Sequence, residues 1–135
     1  MLKVVLDTNT LVSATITQGK EFQLLRLGHE GKIKIFISPE ILREFAGVIS
    51  REKFGFSKQQ QEQAIKQIMS IAALIEPLIR VNAIKDDPAD NKILECAEAG
   101  KVDYIVSGDN HLLKLKQYLW IKIVASSDIL EKLGE

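Results

Sequence analysis

The sequence predicts an α/β fold, a three-layer α/β/α sandwich around a central parallel five-stranded sheet. Three observations predict it. Short apolar runs at residues 2–6, 33–37, 78–81, 104–106 and 121–124 have the length and β-branched content of buried strands. Between them lie stretches with apolar residues at three- and four-residue spacing, several opened by a capping residue followed by proline or by a capping box. The links are short, so strands alternate with helices through right-handed crossovers, giving a parallel sheet covered on both faces.

Residues 2–6 are almost unbroken in apolar character, as in a central strand buried on both sides. After Asp7, the residues Phe22, Leu24, Leu25 and Leu27 belong to a crossover helix that Gly28 or Gly31 ends. Residues 33–37 are the second strand. Ser38-Pro39, a hydroxyl cap followed by proline at the first helical position, starts a helix running to about Arg51. Ser57 and Gln60 have capping-box form and open a long helix bearing Ala64, Ile65, Ile68, Ile71 and Ala72, which stops before Pro77. Residues 78–81 are the third strand and 82–86 a polar loop. A second cap-plus-proline start, Asp87-Pro88, opens a helix that turns Ile93, Leu94 and Ala97 inward and ends at Gly100. Residues 104–106 are the fourth strand, 107–109 its exit, 111–117 a short helix, 121–124 the fifth strand and 127–133 the last helix. Tyr118 and Trp120 read as packing residues rather than as a base-stacking platform. No repeat, low-complexity linker or compositional break interrupts the chain, so a single domain over 1–135 is expected.

Composition narrows the class further. With 46% hydrophobic and 27% charged residues the chain lies far from the signature of disorder. Eighteen basic residues balance eighteen acidic ones, which excludes a global positive field, so any contact with nucleic acid must be local. A lone cysteine, Cys96, allows neither an internal disulfide nor a thiolate metal site and fits a reducing, cytoplasmic setting. No apolar run approaches the roughly 20 residues that span a bilayer, so no membrane association is expected.

In an open parallel sheet, ligands bind beyond the carboxyl ends of the strands. Asp7 follows the first strand directly, and Asp109 lies just past the fourth on a Ser-Gly turn. Asp90 falls in the first turn of the helix after the third strand. Glu44 stands a turn or two into the helix after the second and faces inward if Ile41 and Val48 do. Four carboxylates from four βα units can therefore converge. Each also has a plainer role: Asp90 serves equally to complement a helix dipole, Glu44 to pair on the surface as Glu40 and Arg43 do, and Asp109 to stabilise a turn. Asp87 reads as a helix cap. Asp7 is hardest to explain structurally, because an acid ending a doubly buried strand is desolvated and has no basic neighbour in sequence. Two like charges about 4 Å apart cost about 1 kcal/mol in water and nearer 4 at an effective dielectric of 20, so convergence demands a cation. Without a histidine or cysteine cluster the donor set is all oxygen, which suits Mg²⁺ or Mn²⁺. Such ions activate water and stabilise in-line displacement at phosphorus, which makes phosphodiester hydrolysis the expected chemistry.

The same residues carry a family resemblance. Val4-Val5-Leu6-Asp7-Thr8-Asn9, Leu42-Arg43-Glu44-Phe45, Asp87-Pro88-Ala89-Asp90-Asn91 and Ile105-Val106-Ser107-Gly108-Asp109-Asn110-His111-Leu112-Leu113 together resemble the PIN-domain family. The match runs from the first strand to the fifth and is closest to the small prokaryotic branch described as toxins of toxin–antitoxin pairs. The resemblance implies that Asp7, Glu44, Asp90 and Asp109 are the metal-binding and catalytic acids, and that Asn9 and Ser107 support them by hydrogen bonding. It also implies a ribonuclease acting on single-stranded RNA, a homodimer, and an antitoxin protein whose segment blocks the site.

Lys20, Arg26, Lys32, Arg51, Lys53, His111, Lys114 and Lys116 can hold a phosphate backbone, although a solvated face is the ordinary role of such residues. His29 and Cys96 read as structural. Two other readings compete. A haloacid-dehalogenase-like phosphatase would use Asp7 as nucleophile, but Asn9 stands where that chemistry needs a second acid, and Glu44 is then unexplained. A non-catalytic RNA-binding module on the same fold would bind RNA without cutting it.

Overall fold

The structure, a computed structural model, describes residues 1–80 and 90–135. Along the chain run β1 (Leu2–Leu6), α1 (Thr8–Ile16), α2 (Lys20–His29), β2 (Ile33–Ile37), α3 (Pro39–Ile49), a 3-10 turn (Glu52–Phe54), α4 (Lys58–Ile71) and β3 (Ala73–Leu74). They are followed by α5 (Asn91–Gly100), β4 (Tyr104–Val106), α6 (Asn110–Leu115), β5 (Gln117–Tyr118), β6 (Ile121–Val124) and α7 (Ser126–Lys132). The sheet order is β3-β2-β1-β4-β6-β5. Five strands are parallel, and β5 alone runs antiparallel, against β6. The expected five-stranded parallel sheet, flanked by helices, is therefore present with a short reversed strand added at one edge.

Burial follows position in the sheet. Val4 and Val5 of the central β1 are fully buried, as an apolar run enclosed on both faces requires. β2 alternates instead, with Ile33, Ile35 and Ile37 buried and Lys34 exposed. Ile93, Leu94 and Ala97 of α5 are turned inward, and this helix packs on β1 and β2. Each such large apolar side chain contributes about 1.5–3 kcal/mol by leaving water. Both caps in the first half form as expected: Ser38 Oγ accepts from the Ile41 N–H, and Ser57 and Gln60 exchange both bonds of a capping box.

Three local features differ from the sequence expectation. The third strand lies at Ala73–Leu74, pairing with Phe36 and Ile37, and not at 78–81. Here α4 ends at Ile71 and the chain enters the sheet at once. The Ile75 N–H donates to Ile37 O, and pairing then stops before Pro77, which has no N–H to offer. Leu78 and Ile79 are 96% and 51% exposed, so their apolar pattern marks no strand; Val81 and the Asp87-Pro88 helix start lie outside the described residues. The segment after Asp7 is two helices, separated at Thr17, whose extended backbone leaves the helix while its hydroxyl donates to Ser13 O. The last difference is at 111–117, where α6 stops at Leu115. Lys116 and Leu119 adopt positive φ and fold the following residues into the β5–β6 hairpin.

Gly28 and Gly31 divide the work expected of either. Gly31, at φ +77, makes the left-handed turn after α2. Gly28 sits within the helix, where a Cβ would come within 2.6 Å of Ile35 Cδ1 and 2.9 Å of Ile71 Cγ2, so it lets α2 press against β2 and α4. Among the described residues no helix is long and apolar enough to cross a membrane.

Candidate functional site

Two of the four candidate acids are placed by the helices they cap. Asp7 leaves β1 in extended conformation and caps α1, its Oδ1 accepting from the Thr10 N–H at 2.8 Å. Its Oδ2 accepts from Ser107 Oγ across the β1–β4 edge, and the residue is only 4% exposed. Burial pushes the Asp7 carboxyl above its ordinary range, the Ser107 and Thr10 hydrogen bonds oppose that shift, and the nearby charge of Asp109 adds to it. No lysine or arginine forms an ion pair with Asp7 among the described residues. Asp109 caps the short α6 through the His111 N–H, at 2.8 Å, and its own N–H donates to Ser107 Oγ at 2.9 Å. Ser107 therefore bridges both acids.

Glu44, part-buried on α3, is held by side chains. Thr8 donates to its Oε1, and Lys92 Nζ of α5 stands 2.7 Å from its Oε2. Asp90 precedes α5 with helical backbone angles and no side-chain cap, and is partly buried. All four acids line one cleft of about 180 Å³, together with Thr8, Asn9 and Arg51. Donor atoms of Asp90, Asp109 and His111 lie within 4.8 Å of one another. Asn9 is exposed at the cleft and makes no hydrogen bond to Asp7 among the described residues; the bond expected of it comes from the Thr10 N–H.

The donor chemistry suits a hard divalent ion. Carboxylates packed this closely repel one another at a cost of a few kcal/mol at intermediate dielectric, and oxygen donors are what Mg²⁺ and Mn²⁺ prefer. His111, which the sequence offers as a phosphate contact, adds an imidazole at the rim. Its Nδ1 is 3.8 Å from Asp109 Oδ1.

Lys92 and Thr8 were missed as partners of Glu44. The available signal was charge balance: a cluster of four acids calls for an internal cation, and Lys92 stands two residues after Asp90. Arg51, named among the phosphate-binding candidates, does line the cleft. Cys96 is fully buried with its thiol pushed up to about 12, chiefly by burial, in keeping with a structural role. Tyr118 donates to Glu98 and Trp120 Nε1 to Val102 O, so both tie the edge hairpin to the body of the protein.

A mostly parallel α/β sheet with an acid-lined cleft beyond the carboxyl ends of its strands defines an α/β architecture with an acidic site rather than one activity. The match to a family model described as PIN domain, over residues 3–111, is more specific, and the chain belongs to the PIN-domain family, a family of nucleases. Among solved structures, VapBC2 from Rickettsia felis, crystallised with a DNA fragment from its promoter, is similar at TM-score 0.62 and 17% identity, covering 90% of this chain and 97% of that one. PAE2754 from Pyrobaculum aerophilum is similar at TM-score 0.60 and 14% identity, covering 99% of this chain and 91% of that one. At such identities the likeness concerns the fold. No curated protein matches the sequence.

Proposed function

We propose that the chain is a divalent-metal-dependent ribonuclease, one domain over 1–135, that hydrolyses phosphodiester bonds of single-stranded RNA through Asp7, Glu44, Asp90 and Asp109. The observation that carries this reading is that these four acids, from separate chain segments, line a single cleft in a member of a nuclease family. Mg²⁺ or Mn²⁺ held by the four would supply positive charge against the scissile phosphate and activate the attacking water. Ser107 and Thr10 fix the orientation of Asp7, so its charge is presented without a reorganisation cost. Thr8 and Lys92 fix Glu44 in the same way, and Arg51 at the cleft wall can receive a non-bridging phosphate oxygen.

The likeness to a VapBC2 complex supports a toxin role with an antitoxin protein as partner. We further propose that it acts in the cytoplasm as a homodimer. Labelled single-stranded RNA incubated with Mn²⁺ tests the activity. Cleavage by the wild type that disappears with chelator and in Asp7→Asn supports it. Retained RNA binding without cleavage would identify a non-catalytic module instead, and a trapped phospho-aspartate at Asp7 would identify a phosphatase.

A further inference from the structure

Beside the acidic cleft lies a second, larger cavity of about 380 Å³, whose wall includes Asn9, Lys20, Glu21, Ser107, Ser126 and Ser127. Asn9 lines both cavities, and Ser107, on the wall of the larger one, donates to Asp7 in the smaller. The two are thus adjoining compartments of one surface, but their chemistry differs. The cleft is walled by carboxylates, whereas the larger cavity has hydroxyls, an amide, one acid and one cation.

Two of its groups are left unused by the fold. Ser126 is only 8% exposed, yet its hydroxyl makes no hydrogen bond among the described residues. The hydroxyl opens onto the cavity, where it can donate to or accept from a ligand atom. Lys20 is exposed at the start of α2 and forms no ion pair among the described residues. The preceding Gly19 has no side chain to cap the first turn of α2, so its N–H groups also face outward uncapped.

We infer that this cavity is the seat of the nucleotide flanking the scissile phosphate, with Lys20 and the first turn of α2 on its phosphodiester and Ser126 and Asn9 on its sugar or base. The inference rests on the ribonuclease reading of the adjoining cleft. One free cation beside neutral hydroxyls suits a single backbone phosphate with a polar nucleoside attached, and the overall charge balance of the chain requires RNA contact to be local in this manner. Glu21 on the same wall turns away further phosphates and confines the contact to one.

The test is binding of a short fluorescent single-stranded RNA to the Asp7→Asn protein, measured by anisotropy over a range of salt concentrations. Adding Lys20→Ala should weaken binding and reduce the slope of log affinity against log salt by about 0.7, the share of one phosphate contact on a single strand. Ser126→Ala, which loses no bond within the protein, should keep the melting temperature and weaken binding about two- to tenfold. Lys66→Ala, on α4 and outside the cavity, should leave affinity and slope unchanged. An unchanged slope in Lys20→Ala, equal weakening by Lys66→Ala, or no RNA binding at all overturns the inference. Failure of the ribonuclease reading looks different: the wild type binds RNA in this Lys20-dependent way and leaves it intact with Mn²⁺.

Discussion

The two flanks of the acidic cleft are built on different principles. On one, Asp7 and Asp109 are held by main-chain N–H groups of the helices they cap and by a single shared hydroxyl, and among the described residues no lysine or arginine pairs with Asp7. On the other, Glu44 is held by the tips of two side chains, Thr8 and Lys92, and is already neutralised by an ammonium group. The first flank is anchored by the main chain, with Asp7 buried and, among the described residues, without a lysine or arginine partner; the second is part-exposed and compensated. Main-chain anchoring of this kind keeps a carboxylate in place whether or not it is favourable to have it there. The uncompensated flank is therefore where a cation has the most to gain.

The largest expected effect is on the flank anchored by the main chain. Asp7→Asn should lower RNA cleavage by about 10³-fold or more, equivalent to about 4 kcal/mol of lost transition-state stabilisation. The same substitution should leave the metal-free fold equally or more stable in thermal melts, since asparagine can keep the cap on α1 without the buried charge. The pH dependence has a definite sign. Because burial holds the folded Asp7 carboxyl above its ordinary value of 3.8, its contribution to stability is complete below 3.8 and is lost as pH rises through the folded value. The stability advantage of the Asn variant over wild type should therefore grow with pH across that window and then level off. Mn²⁺ should raise the melting temperature of the wild type, and that of the variant less. A variant that is destabilised and indifferent to Mn²⁺ would remove the distinction between the flanks.

Ser107→Ala comes next. It deprives Asp7 of a donor and the Asp109 N–H of an acceptor, and cleavage should fall about 10–100-fold, as for other residues that orient ligating groups. Smaller again is Lys92→Met on the compensated flank. The pair it breaks is part-exposed, so denaturant unfolding should show a stability change within about 1 kcal/mol. A loss of several kcal/mol would mean that Glu44 is as tightly committed as Asp7. Least affected by the chemistry is Cys96, which should not react with a thiol reagent at pH 8 in the native protein and should react fully once unfolded.

Legibility in the sequence tracked how local the determining interactions are. β2, β4 and β6 lie where their apolar runs predict, and Ser38 and Ser57 cap where a hydroxyl followed by proline or paired with Gln60 predicts. These signals act over three or four residues. β3 was misplaced because a two-residue strand carries no pattern of its own and is defined by Phe36 and Ile37 on its neighbour, while Leu78 and Ile79 mimic a strand and remain exposed. β5 escaped because it depends on positive φ at Lys116 and Leu119, residues with no conformational signature for it. At the site, the acids could be sent to one edge by topology alone. The Glu44–Lys92 contact joins residues 48 apart, and no local spacing reports it.

The position of Ser107 makes the two capping acids mechanically inseparable. Its hydroxyl donates a hydrogen bond to one and accepts a hydrogen bond from the backbone of the other. A shift of the loop between β4 and α6 is thereby transmitted to the carboxylate at the end of β1, two chain segments 100 residues apart acting as one jaw. Whatever displaces that loop, substrate or partner, reaches the deepest charge in the cleft without touching it.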